Sequence, residues 1–298
     1  MVNFILIAVC MIAGMLFRAS KTLPADAHRG INAWIIYLAL PAVSFKYLPH
    51  IVWTHELLAP VIAPVLVWLG GWLLVNIYTK IKPADLATKG SLRLMSGLAN
   101  TSFIGFPLVA AYFDEKYISI AIICDQITFL LLSTAGVVVA INASKKSALS
   151  AVVVLKRVLR FPPFLGCVCA LVLPHFIDIS FANPLFDKLA ATVAPLALFS
   201  IGLQLRFKGW MSELKNISVT LIYKLILAPL LVLAVFFVLG FKGIIPQVSI
   251  FEAAMPTLVT AGVVADEYGL NPKLSNLIIG IGIILSLLTT AGWSYLIR

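Results

Sequence analysis

Apolar residues in this chain run in long blocks separated by short polar stretches. A membrane-spanning helix needs about 20 predominantly apolar residues. On that measure the blocks predict ten spans: 2–17, 25–47, 57–79, 84–113 and 117–142, then 161–177, 185–205, 212–239, 243–265 and 274–297. The third and the tenth contain no charged residue, and the sixth is among the shortest. The leading block has no positive charge before it and no small-residue cleavage pattern after it, so it reads as a retained span and not as a signal peptide.

The polar stretches carry a second pattern. The first, third, fifth and seventh loops hold three, four, five and three basic residues. These are Arg18, Lys21 and Arg29; Lys80, Lys82, Lys89 and Arg93; Lys145, Lys146, Lys156, Arg157 and Arg160; and Arg206, Lys208 and Lys215. The even loops hold one apiece: Lys46, Lys116, Lys188 and Lys242. The ninth, with Lys273 alone, does not share the contrast. Basic residues concentrate in cytoplasmic loops, so both termini are expected outside.

The basic stretch 143–160 reads as a cytoplasmic connector between a first five-helix repeat, 1–142, and a second, 161–298. An odd number of spans per half forces the halves into opposite orientations, the inverted repeat of many secondary transporters. Leu-Ser-Thr-Ala-Gly at 132–136 and Leu-Thr-Thr-Ala-Gly at 288–292 support a repeat. So do the acidic pairs Asp114-Glu115 and Asp266-Glu267, each just before the last span of its half.

Composition agrees with lipid as the solvent. The 298 residues are 61% hydrophobic and 11% charged, where a soluble chain carries about 25% charged residues. Mean hydropathy is +1.05. The net charge of +10 is accounted for by topology, and with no accompanying motif it predicts no nucleic-acid partner. Cys10, Cys124, Cys167 and Cys169 lie inside apolar blocks and read as small core residues. His28, His50, His55 and His175 fall near loops and read as interfacial. Neither a metal site nor a cofactor is expected. With no H-E-x-x-H, G-x-S-x-G or phosphate-cradling G-x-x-x-x-G-K-[ST], neither is an enzyme.

Two blocks interrupt their own helical pattern. The fourth reads Asn100-Thr101-Ser102-Phe103-Ile104-Gly105-Phe106-Pro107, and the ninth reads Glu252-Ala253-Ala254-Met255-Pro256-Thr257-Leu258-Val259-Thr260-Ala261-Gly262. Proline removes a backbone donor and glycine frees the chain from helical geometry. Unwound backbone at membrane depth is tolerated only inside protein or against a cavity. Interruptions at matching places in two halves point to a transporter site, where half-helix N-termini face an anion. Candidate substrate-binding residues are therefore Asn100, Thr101, Ser102, Gly105, Pro107, Pro256, Thr257 and Thr260, with Gln204 from the seventh span. Asp125, Gln126 and Glu252 are candidate coupling or gating residues, because a carboxylate within a span is costly. Lys224 could be a charge partner within the bundle, but its long stem is expected to snorkel to the basic face. Ser44 and Ser200 are expected to line the cavity or bond between helices.

The fourth-span motif with Leu108-Val109, followed by Asp125-Gln126, resembles the auxin efflux carrier family of the bile-acid/arsenite/riboflavin transporter superfamily. So do Ala254-Met255-Pro256 leading to Val264-Ala265-Asp266-Glu267-Tyr268-Gly269, and the segment from Pro195 to Gln204. The resemblance covers essentially the whole chain. It implies an all-α, ten-helix membrane fold with a scaffold domain and a transport domain. Helices four and nine would break and cross at Pro107 and Pro256, and Asn100 would help bind the substrate carboxylate. The long central loop of many plant members is missing, which implies a prokaryotic member of a bacterial cytoplasmic (inner) membrane.

The expected function is a secondary carrier moving a small organic anion or carboxylate by alternating access. Its partners are that substrate and the bilayer, with room for a proton or sodium ion as coupling ion and for a homodimer. The alternatives are a sodium- or proton-coupled cation antiporter on the same architecture, and a membrane receptor that binds without transport.

Overall fold

The computed structural model describes residues 2–51, 54–144, 159–205 and 210–297. Among these residues the regular secondary structure is all helical, and the extended pairing is a single bridge. In chain order the helical segments are α1 (Val2–Ala19), α2 (Ala27–His50), α3 (His55–Ile81), α4 (Leu86–Gly97), α5 (Thr101–Tyr112), α6 (Glu115–Ala143), α7 (Pro162–His175), α8 (Ser180–Gln204), α9 (Trp210–Leu239), α10 (Ile244–Ala253), α11 (Val259–Glu267) and α12 (Pro272–Leu296). Seven are long and apolar enough to cross a membrane: α1, α2, α3, α6, α8, α9 and α12. The chain is an integral, multi-pass membrane protein. α5, α7 and α10 are shorter and also apolar. Within the connector 143–160, the basic residues Lys145, Lys146, Lys156 and Arg157 lie outside the described residues, as do Arg206 and Lys208.

Local chemistry explains three of the four π-turns among the described residues; the fourth, Leu132–Gly136 of α6, has no proline after it. α2, α5 and α9 each contain a wider π-turn, at Ile35–Ala39, Thr101–Gly105 and Tyr223–Leu227. Each turn is followed two residues later by a proline: Pro41, Pro107 and Pro229. A proline inside a helix lacks the N–H and crowds the carbonyl four residues back. The wider turn gives that carbonyl room, so the helix continues.

The helices form two units. The first contains α1, α2, α5, the start of α6, α7 and α8. In it α1 lies along α8 at very close range. A Cβ on Gly14 would stand 2.3 Å from Phe199 O, and one on Gly202 2.3 Å from Met11 O. Small residues allow such backbone approach where lipid supplies no hydrophobic drive between helices. Arg18 at the end of α1 donates to Leu203 O (3.0 Å) and Leu205 O (2.8 Å), so a counted loop charge also caps α8. α2 packs on α7 and on the start of α8, where Lys46 pairs with Asp187 at 3.1 Å.

The second unit contains α3, α4, the rest of α6, and α9 to α12. Here α3 packs against α4, α9 and α10, and Tyr223 Oη donates to Val67 O at 2.6 Å. Asp85 caps α4 through Thr88 N (2.6 Å), and Asn271 caps α12 through Leu274 N (3.1 Å). Asn271 N also donates to Ser91 Oγ at 2.9 Å, which ties the starts of α4 and α12 together.

Candidate functional site: paired helix interruptions and a buried polar cluster

Two helical runs break inside the second unit, and the breaks meet. α4 stops at Gly97, where an added Cβ would stand 2.5 Å from Trp68 Cε3 of α3. Residues 98–100 are non-helical, and α5 begins at Thr101. α10 stops at Ala253, residues 254–258 leave the helix around Pro256, and α11 begins at Val259. The two interruptions pair antiparallel at Ala99 and Thr257. Asn100 N donates to Pro256 O at 2.8 Å, and Leu258 N donates to Leu98 O at 3.1 Å. Thr257 Oγ1 adds a bond to Met95 O at 2.8 Å. Each break therefore satisfies backbone groups that the other has freed, which buried irregular backbone requires.

The interruption of the fourth run lies earlier than its proline. Pro107 stands within the continuous winding of α5, seven residues past Asn100, because the preceding π-turn accommodates it. Pro256 does sit in its break.

Lys224 does not snorkel. Its side chain is 0% exposed, and Nζ donates to Ala253 O at 3.1 Å. The last carbonyls of a helix have no partner within it and carry partial negative charge, so a buried ammonium caps α10 at its break.

Next to the paired breaks lies a buried polar cluster. Glu252, one residue before the end of α10, is 1% exposed, and neither carboxylate oxygen has a hydrogen bond. Asp125 of α6 and Lys224 of α9 are buried ionisable side chains that share this region with it. Thr101 Oγ1 donates to Asp125 Oδ1 at 2.6 Å. A cavity of about 10 Å³, the size of one water, is lined by Thr101, Cys124, Thr128, Ser249 and Glu252 with apolar neighbours from α3.

The hydroxyl protons around this cavity are committed elsewhere. Thr128 Oγ1 donates to Cys124 O (2.8 Å) and Ser249 Oγ to Ile245 O (2.8 Å), while Thr101 donates to Asp125. The side-chain oxygens on the cavity are thus acceptors. An unpaired buried carboxylate among acceptors is costly, and a cation or proton relieves that cost.

The sequence candidates divide between the units. Asn100, Thr101, Asp125, Gln126, Glu252, Pro256, Thr257 and Thr260 fall in the second. All but Gln126 and Thr260 are buried, and Gln126 Oε1 has no hydrogen bond. Ser102, Gly105, Pro107 and Gln204 fall in the first unit. There Gln204 Nε2 donates to Ser200 O (3.1 Å) and Oγ (3.2 Å), and Ser200 Oγ donates to Asn32 Oδ1 (2.6 Å). Ser200 thus bonds between helices. Ser44 donates to Leu40 O of its own helix at 3.3 Å. Cys124, Thr128 and Ser249 were not among the candidates. Their signal is spacing: Ser249 is three residues from Glu252 and Thr128 three from Asp125, the same helix face in each case.

Residues 1–294 match the family model described as membrane transport protein. The chain belongs to that family, the auxin efflux carrier type. This membrane transport protein is 24% identical over 293 residues to an uncharacterized transporter of Methanothermobacter thermautotrophicus, covering 97% of this chain and 95% of the relative. It is 26% identical over 300 residues to a protein of Rhizobium meliloti provisionally named a malonate transporter, covering 92% and 88%. Auxin efflux carrier component 8 of Arabidopsis thaliana is 30% identical over 107 residues, 34% of this chain and 28% of the plant protein.

Proposed function

We propose that this transporter is a secondary carrier for a small organic anion, with its substrate site at the paired interruptions and alternating access as its mode of transport. The observation that carries the proposal is the mutual hydrogen bonding of the two breaks, Asn100 N to Pro256 O and Leu258 N to Leu98 O. α5 and α11 both start where the paired segments end, so each begins with N–H groups that have no intrahelical partner. Such termini favour carboxylates. The provisional name of the Rhizobium relative supports a small dicarboxylate such as malonate.

The same proposal takes the chain as ten spans in a 5+5 inverted repeat, N-out and C-out, with α4–α5 as span four and α10–α11 as span nine. Support comes from the equivalent place of the two breaks in halves 1–142 and 161–298. Glu252 and its acceptor-lined cavity serve as the coupling site for a proton or sodium ion.

Uptake of labelled malonate into proteoliposomes tests this. Wild type should accumulate malonate and Asn100→Ala should lose most of the uptake. Glu252→Gln should retain exchange but lose dependence on the proton or sodium gradient. Full uptake by both variants would remove these residues from the mechanism. The lone-pair lining of the cavity also favours a second reading, a cation antiporter; sodium or proton flux with no organic solute present would select it.

A further inference from the structure

An apolar cleft of about 370 Å³ opens between α9 and α12, on residues that take no part in the polar cluster. It is lined by Trp210, Leu221 and Ile226 of α9 and by Ile281, Leu285 and Thr289 of α12. From Trp210 to Ile226 is sixteen residues, about 24 Å of helix axis. Half of a bilayer, headgroups included, is about 20–22 Å. The cleft therefore has the length of one leaflet. Ile226 (44% exposed) and Leu285 (40%) leave it open along its side, and at its inner end Trp293 Nε1 donates to Leu225 O at 2.8 Å, joining the two helices.

The outer end has the chemistry of a headgroup site. Trp210 is amphipathic and 39% exposed, as suits the membrane interface. Lys215 and Lys273 are both exposed, and Lys273 Nζ lies 3.4 Å from Ser212 Oγ, two residues from Trp210. The acid in this turn, Glu213, already accepts from Asn216 Nδ2 at 2.8 Å. Two lysines against one carboxylate, whose charge the Asn216 amide does not cancel, leave a net positive charge here, complementary to an anionic phosphate.

We propose that this cleft binds one anionic phospholipid, its acyl chain between α9 and α12 and its phosphate at Lys215 and Lys273. The proposal goes beyond the transport reading and does not depend on it. A bound chain rests against the π-turn Tyr223–Leu227, whose Lys224 caps the α10 break.

Thermal melting of the full chain in detergent, with added dioleoyl phosphatidylglycerol or phosphatidylcholine, tests the site. Phosphatidylglycerol should raise the midpoint of wild type by several degrees more than phosphatidylcholine does. Lys215→Gln with Lys273→Gln should abolish that difference while leaving the response to phosphatidylcholine. Ser218 of α9 also lines the cleft, and Ser218→Phe, which puts a ring into it, should weaken the response to both lipids. Equal responses in wild type, or an unchanged preference in the double lysine variant, would overturn the proposal. If Ser218→Phe does not fold, lipid retention by the double variant in native mass spectrometry decides: retention of phosphatidylglycerol equal to wild type overturns it.

Discussion

At the scale of single residues, the buried charges decide most. Lys224 caps the C-terminal carbonyl of α10 by a 3.1 Å hydrogen bond, one residue past Glu252. Removing one member of a buried charge arrangement leaves the other uncompensated, at a cost on the order of 3 kcal/mol. Lys224→Met should therefore lower the melting midpoint clearly. Adding Glu252→Gln should recover part of the loss, because the stranded charge is gone. Equal destabilisation by the single and the double variant would mean that the two side chains are not coupled. The costly carboxylate was legible in the sequence, since a glutamate within an apolar run stands out. The lysine's role was not. Snorkelling and capping start from the same residue at the same depth, and only the location of Ala253 O separates them.

At the scale of elements, close packing and broken winding have different causes. α1 and α8 approach through Gly14 and Gly202, where the atoms in the way are backbone and do not yield as a side-chain end does. Gly202→Val should sharply reduce recovery of folded protein, measured by size-exclusion chromatography. Gly292→Ala is the control: nothing lies within 4 Å of an added Cβ, and alanine is the better helix former. The α10–α11 break falls at its proline, as local chemistry dictates. The α4–α5 break does not, because a π-turn absorbs Pro107 while the extended partner segment fixes residues 98–100. A proline reports that a helix is under strain. Where the strain is relieved depends on what is packed beside it.

At the scale of the molecule, the sidedness proposed from the basic loops makes a direct claim. Cysteines introduced at Lys188 and at Lys89 should react with a membrane-impermeant thiol reagent from opposite sides. Lys188→Cys should label in intact cells, and Lys89→Cys only after lysis. The reverse result would invert the orientation and leave the helical segments as they are. The two units also cut across the sequence halves: α1, α2, α7 and α8 come together in one, and α3, α4 and α9 to α12 in the other. No composition shift or linker marks that grouping, since it follows from which helices pack.

The sequence by itself determined the solvent and the all-helical character, and it marked two runs in which polar groups interrupt the apolar pattern. These depend on local composition and length, because a bilayer demands about 20 apolar residues per crossing and penalises every exception. Only the tertiary structure decided that the interruptions hydrogen-bond to each other, that Lys224 turns inward, and that Thr101, Thr128 and Ser249 surround Glu252 with spent hydroxyls. The physical reason is that unwound backbone groups, and the lysine beside them, take hydrogen-bond partners wherever packing brings them close. The partners available to residues near 100, 224 and 252 are over a hundred residues apart along the chain for the paired breaks and about thirty for the ammonium and its carbonyl.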